Sequence, residues 1–177
     1  MKRKYGPERA AECLREIAEL SVRPFVGMDL ITGFPGESAQ DFEETLAWLR
    51  VNPWSRLHVF PYSERAGTPA TRLPGRVEPA ERARRATRLR ALSEERVRAV
   101  YQQELERGRA LGVLFEGQGR DLVQGQPGWS GHTASYLRVW VPALEENLRN
   151  QRTDVRLTGL HFEPAAGECR LIGAIAQ

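Results

Sequence analysis

A chain of 177 residues has room for one or two domains, and any second one has to be small. Hydrophobic residues make up 41% and charged residues 28%, an ordinary globular composition, and no apolar run approaches the ~20 residues of a membrane span. The net charge is +3 and unevenly spread: residues 72–110 hold 11 arginines against 6 glutamates, while the flanking segments each carry one more acid than base. That middle excess reads either as a nucleic-acid footprint or as a solvated helix laced with i,i+4 ion pairs. The basic start, Met1-Lys2-Arg3-Lys4-Tyr5, is followed by no apolar stretch, so no secretory signal is expected and the expected location is cytoplasmic. Cys13 and Cys169 form no CxxC pair and read as two unrelated thiols.

The first predicted element is a helix opened by Gly6-Pro7-Glu8, with Leu14, Ile17, Ala18 and Leu20 at helical spacing. Phe25 to Ile31 reads as a buried strand, parallel because helices flank it. A sharp loop from Thr32 to Ser38 follows, and Ser38 is placed to cap a helix whose apolar face is Phe42, Leu46 and Leu49. Asn52-Pro53 ends that helix, and Arg56 to Tyr62 reads as a second strand. After a Gly/Pro-bearing loop, residues 78–109 form one long helix, with Ala83, Ala86, Leu89, Leu92, Val97 and Val100 as its apolar stripe and the arginines on the other face. From residue 110 four short strand candidates appear: 111–116, 135–141, 155–162 and 169–174. Their spacing and turn residues predict a small β-barrel or sandwich. The fold class is therefore α/β plus all-β, and two strands are too few to complete the α/β sheet.

Two loops carry candidate chemistry. Gly33-Phe34-Pro35-Gly36-Glu37 lies between a predicted strand and a helix, where ligands of α/β folds bind and where free N–H groups face an anion; a plain tight turn is the alternative. Phe60 to Ala70 ends the second strand, and Tyr62, Ser63 and Arg65 would share its rim with the first loop if the strands are parallel neighbours. In the last segment, alternation places Tyr136, Arg138 and Trp140 on one face, with Trp129 and His132 also at hand. That face is either core, with Arg138 snorkelling, or an exposed RNA-stacking surface.

The residues Met1 to Tyr5, then Asp29 to Glu37 with Asp41-Phe42, then Phe60 to Ala70, match in order and spacing the radical S-adenosylmethionine (SAM) methylthiotransferases, which this chain resembles. The wording from Leu57 to Ala70 is most similar to the subgroup that methylthiolates threonylcarbamoyladenosine in tRNA, and the last segment resembles the TRAM domain. The resemblance implies a partial radical-SAM (β/α) barrel in residues 1–76 (its last two strands and their helices), a connecting Arg-rich helix in 77–109, and a TRAM-like RNA-binding β-barrel in 110–177. It implies SAM and two [4Fe–4S] clusters as cofactors, and tRNA as partner. A chain supplying the N-terminal cluster domains is a further expected partner. It marks Arg3, Gly33, Glu37, Tyr62, Ser63 and Arg65 as candidate SAM or substrate contacts, and Arg84, Arg85, Arg88, Tyr136, Arg138 and Trp140 as candidate RNA contacts. Such enzymes hold their clusters on a CxxxCxxC triplet and three further cysteines, and Cys13 and Cys169 match neither set. No catalytic or metal-ligating residue is therefore expected, and the 177 residues alone are expected to be inactive. A cluster-free tRNA-binding module or an inactive fragment is the alternative.

Overall fold

The computed structural model describes residues 4–20, 24–120, 125–142, 146–163 and 168–176. The chain divides into two compact units, one of Met1–Glu19 with Val26–Arg96 and one of Leu20–Phe25 with Val97–Gln177.

The first unit begins with α1 (Pro7–Ala18), whose Pro7 sits in the first turn, where a missing N–H costs nothing. Strand β1 (Gly27–Thr32) follows, then α2 (Ala39–Val51) and β2 (Arg56–Pro61). Ser38 caps α2 as predicted. Its Oγ accepts from the Asp41 N–H at 3.1 Å while the Asp41 carboxylate accepts from the Ser38 N–H at 2.8 Å, a reciprocal capping box. Asn52 stops the helix by donating to the Trp48 carbonyl at 2.7 Å. A one-turn 3-10 helix (Pro69–Arg72) precedes α3 (Pro79–Glu106), which runs from the first unit into residues of the second.

β1 and β2 form a two-stranded parallel sheet in the register Met28–Leu57, Leu30–Val59, Thr32–Pro61. One face carries Met28, Leu30, Leu57 and Val59 into a core with Leu14, Phe42, Leu46, Leu49, Trp54 and Leu89. The other face is bare: Gly27, Asp29, Ile31, His58 and Phe60 are exposed. The edges differ as well. Tyr62 N–H donates to the Thr32 carbonyl and Arg56 N–H to the Val26 carbonyl, so even-numbered residues of both strands face each other and odd-numbered backbone groups point outward. On β2 these outward groups are covered by α3. Ser93 Oγ accepts from the buried Leu57 N–H at 2.9 Å and reaches the Leu57 carbonyl at 3.4 Å, and Arg90 reaches the Val59 carbonyl at 3.5 Å. Pro61 has no N–H to satisfy. The outward backbone of Asp29 and Ile31 on β1 has no such cover among the described residues.

The second unit is a closed five-stranded barrel in the order β3-β4-β5-β7-β6. Its strands are β3 (Ala110–Arg120), β4 (Pro127–Thr133), β5 (Arg138–Pro142), β6 (Arg152–Glu163) and β7 (Glu168–Ile175). All neighbours are antiparallel except β5 and β7. Val113, Phe115, Trp129, Val139, Val141, Val155 and Leu171 fill the interior, and Val97 and Tyr101 of α3 join them. The barrel's unit thus takes in residues before 110, where the strands start.

Strand β4 is absent from the sequence reading because Pro-Gly-Trp-Ser-Gly-His-Thr has the composition of a turn. One of its two glycines shows a packing reason: a Cβ on Gly131 would strike the Leu114 carbonyl on the neighbouring strand. A second correction concerns α3. Arg82, Arg85 and Ser93 lie on its buried face, whereas Ala83 is exposed. The apolar stripe is shared with arginines because their partners sit on the elements beneath them. Replacing Ser93 with Ala strands the buried Leu57 N–H and carbonyl, and is expected to lower stability by about 1–3 kcal/mol in urea unfolding. A change within roughly 0.5 kcal/mol, the usual range for surface substitutions, would mean that water already serves this edge.

Candidate functional site

The C-terminal ends of β1 and β2 bring the two motif loops together, joined by the Tyr62 N–H to Thr32 carbonyl bond of 2.8 Å. Gly33 turns with φ of 74°, and a side chain there would run into the stem of Arg82. The Glu37 carboxylate accepts from the Gly33 N–H, from the Phe34 N–H at 3.2 Å and from the Thr32 hydroxyl at 3.3 Å, and it pairs with Arg85 at 3.1 Å. The Glu37 side chain is 18% exposed, so this carboxylate holds the loop closed and does not offer itself to a ligand. Tyr62 packs edge-to-face on Phe34 with centroids 5.2 Å apart, beneath the guanidinium of Arg82. Its hydroxyl is buried with no hydrogen-bond partner among the described residues. Of the predicted rim residues, Ser63 and Arg65 have exposed side chains, while Gly33, Glu37 and Tyr62 support the loops. Arg3 lies outside the described residues.

The three α3 arginines expected to contact RNA, Arg84, Arg85 and Arg88, are each paired with a carboxylate. Arg85 is buried, bonded to Glu81 at 2.8 Å and to the Glu37 carbonyl at 3.1 Å, so the expectation that it faces RNA is corrected. Arg84 holds Glu81 at 2.7 Å, and Arg88 holds Glu43 at 2.5 Å while lying over the Phe42 ring. These bonds, Arg84 first and Arg85 second, hold the Glu81 carboxyl down at about 2. The hydrogen bond from Arg88 lowers Glu43, and Arg82 with Arg76 lowers Glu64.

On the barrel, β4 and β5 pair Ser130 with Trp140 and His132 with Arg138. Residues 129, 139 and 141 point inward, so 130, 132, 138 and 140 point outward. Tyr136 is not on the strand. It occupies the β4–β5 turn with φ of 66°, is 70% exposed, and stacks on His132 with centroids 4.8 Å apart. Glu116, the extra residue at a bulge in β3, meets His132 Nδ1 at 3.0 Å, and Arg138 pairs with Glu168 at 2.8 Å. Trp140 points outward but is 5% exposed, so it is packed and offers no ring for stacking. The expectation that Tyr136, Arg138 and Trp140 form one stacking face is corrected: the accessible groups are Tyr136 and Arg138, with His132 stacked on Tyr136.

Residues 57–70 and 29–37 thus supply a rim, and the bare sheet face beside it carries Asp29 and His58 directly opposite each other. Period-two reading of two parallel strands could have found this pair, had one face been taken as open. Over 146 residues, 82% of this chain, the sequence is 33% identical to the threonylcarbamoyladenosine tRNA methylthiotransferase MtaB of Bacillus subtilis, of which the match covers 32%. A tRNA-2-methylthio-N(6)-dimethylallyladenosine synthase of Symbiobacterium thermophilum is 33% identical over 89% of the chain and 32% of its own length. That of Oleidesulfovibrio alaskensis is 37% identical over 76% and 30%. The chain belongs to the radical-SAM methylthiotransferase family. No family model matches it. The chain spans about a third of the length of the relatives it matches.

The family's iron–sulfur clusters do not fit the donors present. Cys13 is partly exposed on α1 and Cys169 is buried in the barrel core, and no group of three or more His, Cys, Asp or Glu among the described residues is placed to hold a metal. No helix among the described residues is long and apolar enough to cross a membrane. The lowered carboxyls give a pH signature. Their folded-state values lie below the usual 4.5, so their stabilisation is complete above that pH and is lost as the pH falls, for Glu81 down to about 2. The melting temperature is expected to drop across that window. Glu81→Gln should start lower at pH 7 and show a shallower drop; identical profiles for the two proteins would exclude the Glu81 pairs as its source.

Proposed function

We propose that this chain is the C-terminal part of a radical-SAM tRNA methylthiotransferase that 2-methylthiolates N6-threonylcarbamoyladenosine. Residues 1–76 serve as the last two strands of a (β/α) barrel with their helices, 77–109 as the connecting helix, and 110–177 as a TRAM-like RNA-binding barrel. The observation that carries this reading is the asymmetry of the β1–β2 sheet. Parallel strands are normally covered on both faces, yet this pair has one bare face, one covered edge on β2 and one uncovered edge on β1. Such a sheet is suited to continue from β1 into further strands. The bare face would then line the interior, with Asp29 and His58 inside and Ser63 and Arg65 at the rim toward SAM or substrate.

The radical chemistry belongs to SAM and the clusters, and this chain's donors do not supply the clusters. No chemical step is therefore assigned to these residues, and catalysis requires a chain or segment that brings the cluster domains. The barrel supports the RNA part of the reading. Its strand order, closed with a single parallel pair, suits an oligonucleotide-binding barrel whose second and third strands face the nucleic acid. Those strands here are β4 and β5, which carry His132 and Arg138, with Tyr136 in the turn between them. The completeness of this barrel also favours a second reading, a cluster-free tRNA-binding module.

Anaerobic reconstitution with iron and sulfide, followed by mass spectrometry of digested tRNA, separates the two. The chain alone is expected to hold no stoichiometric iron and to yield no methylthio-nucleoside. Adding the cluster-bearing segment of a relative should yield product under the first reading and none under the second. Methylthio-dimethylallyladenosine as product would replace the substrate named here. In tRNA binding, Tyr136→Ala and Arg138→Ala are each expected to weaken affinity by about 1–3 kcal/mol, as loss of a stacking or phosphate contact does; unchanged binding by both would exclude the β4–β5 face.

A further inference from the structure

A cleft of about 620 Å³ lies between the segment following β2 and one face of α3. Tyr62, Ser63 and Glu64 form one wall, and Pro79, Ala83, Ala86, Thr87 and Arg90 form the other, with Arg76 and Arg82 at its margin. The helix positions are spaced by three and four, so they share one face. Three guanidinium groups and one carboxylate line this space, a local excess of two positive charges. Elsewhere on this stretch of α3 the arginines are matched: Arg84 to Glu81, Arg85 to Glu37 and Glu81, and Arg88 to Glu43. In the cleft, one oxygen of Glu64 serves both Arg82 at 2.9 Å and Arg76 at 3.3 Å, and among the described residues Arg90 reaches the Val59 carbonyl at 3.5 Å and no carboxylate.

The parts have distinct roles. Arg82 is fixed, its side chain 9% exposed and bonded to the Val77 carbonyl at 2.7 Å, the Tyr62 carbonyl at 3.1 Å and Glu64. It holds the wall in place and contributes field. Arg76 has a side chain 63% exposed, and Arg90 and Ser63 are exposed, so these three can reach a ligand. A guanidinium fork binds phosphate oxygens in pairs, and a serine hydroxyl adds a third donor. The apolar side chains of Pro79, Ala83 and Ala86 on the helix wall suit a sugar beside the phosphate.

We propose that this cleft is a phosphate-binding site, held chiefly by Arg76, Arg90 and Ser63, that takes a phosphodiester of an RNA backbone. The site is separate from the barrel face named above and rests on the reading that the chain handles RNA.

The test uses the 177-residue chain, isotopically labelled for NMR, titrated with inorganic tripolyphosphate and separately with a tRNA anticodon stem-loop. Both probes are expected to shift the Ser63 and Glu64 amides and the Arg90 Nε saturably. In the Arg76→Ala/Arg90→Ala double variant, checked for fold by circular dichroism, stem-loop affinity should fall roughly tenfold at about 0.1 M salt. The slope of log affinity against log salt should shrink by about 1.4, two single-strand contacts. Unchanged affinity and slope in the double variant overturn the site while leaving RNA binding by the barrel intact. Shifts with tripolyphosphate but none with RNA reassign the cleft to a free phosphate ligand and overturn the polynucleotide assignment. Loss of RNA affinity in this variant, with none in Tyr136→Ala and Arg138→Ala, supports the cleft and sinks the barrel face.

Discussion

The backbone of a parallel strand pair cannot satisfy itself, and the first unit is organised around that debt. β2 has outward N–H and carbonyl groups at Leu57 that would otherwise be buried unpaired under a helix, and a further outward carbonyl at Val59. Ser93 and Arg90 of α3 answer them. This fixes where the helix lies along the strand and brings Leu89 onto the core beneath. The same placement brings Arg82 over Tyr62 and Arg85 under the Gly33 loop. Once α3 is seated on β2, the sheet can grow only from β1.

Charge in this protein is spent on positioning before it is available for partners. Glu37 fastens its own loop through backbone N–H groups and then fastens that loop to α3 through Arg85. Glu43 on α2 and Glu81 on α3 take Arg88 and Arg84. The arginine-rich segment therefore presents a much smaller field than its count suggests, because acids from outside the segment neutralise it. Part of what remains lies in the cleft beside Ser63, where one carboxylate faces three guanidinium groups.

The barrel follows a different logic. Its closure removes free strand edges, so no helix is needed to cover them. The cost falls on side-chain volume, and glycine at 131 lets the backbones of β3 and β4 approach. The bulge at Glu116 turns that residue toward His132, and the left-handed turn at Tyr136 lays its ring on the same imidazole. An accessible ring and a cation are thus held on a rigid surface, whereas Trp140 on the adjacent strand is packed away.

Sequence by itself determined the local elements and the family. Ser38 and Asp41 cap α2 because their side chains reach only their own turn, and the apolar spacing of Phe42, Leu46 and Leu49 needs no distant partner to be read. The motif loops were legible for the same reason, as turns written by Gly and Pro, and the two cysteines excluded the family's cluster ligation by count alone. Tertiary structure decided which charges are free. Whether Arg85 faces solvent or Glu37 depends on residues 48 positions apart meeting, and whether Tyr136 shares a face with Trp140 depends on one positive φ that breaks the alternation. It also decided that β4 exists, since a strand of Gly, Ser and Pro is stabilised by neighbours on both sides and by almost nothing of its own. Contacts between distant segments carry no local pattern, and for that reason the reading of loops survived while the reading of surfaces had to be redrawn.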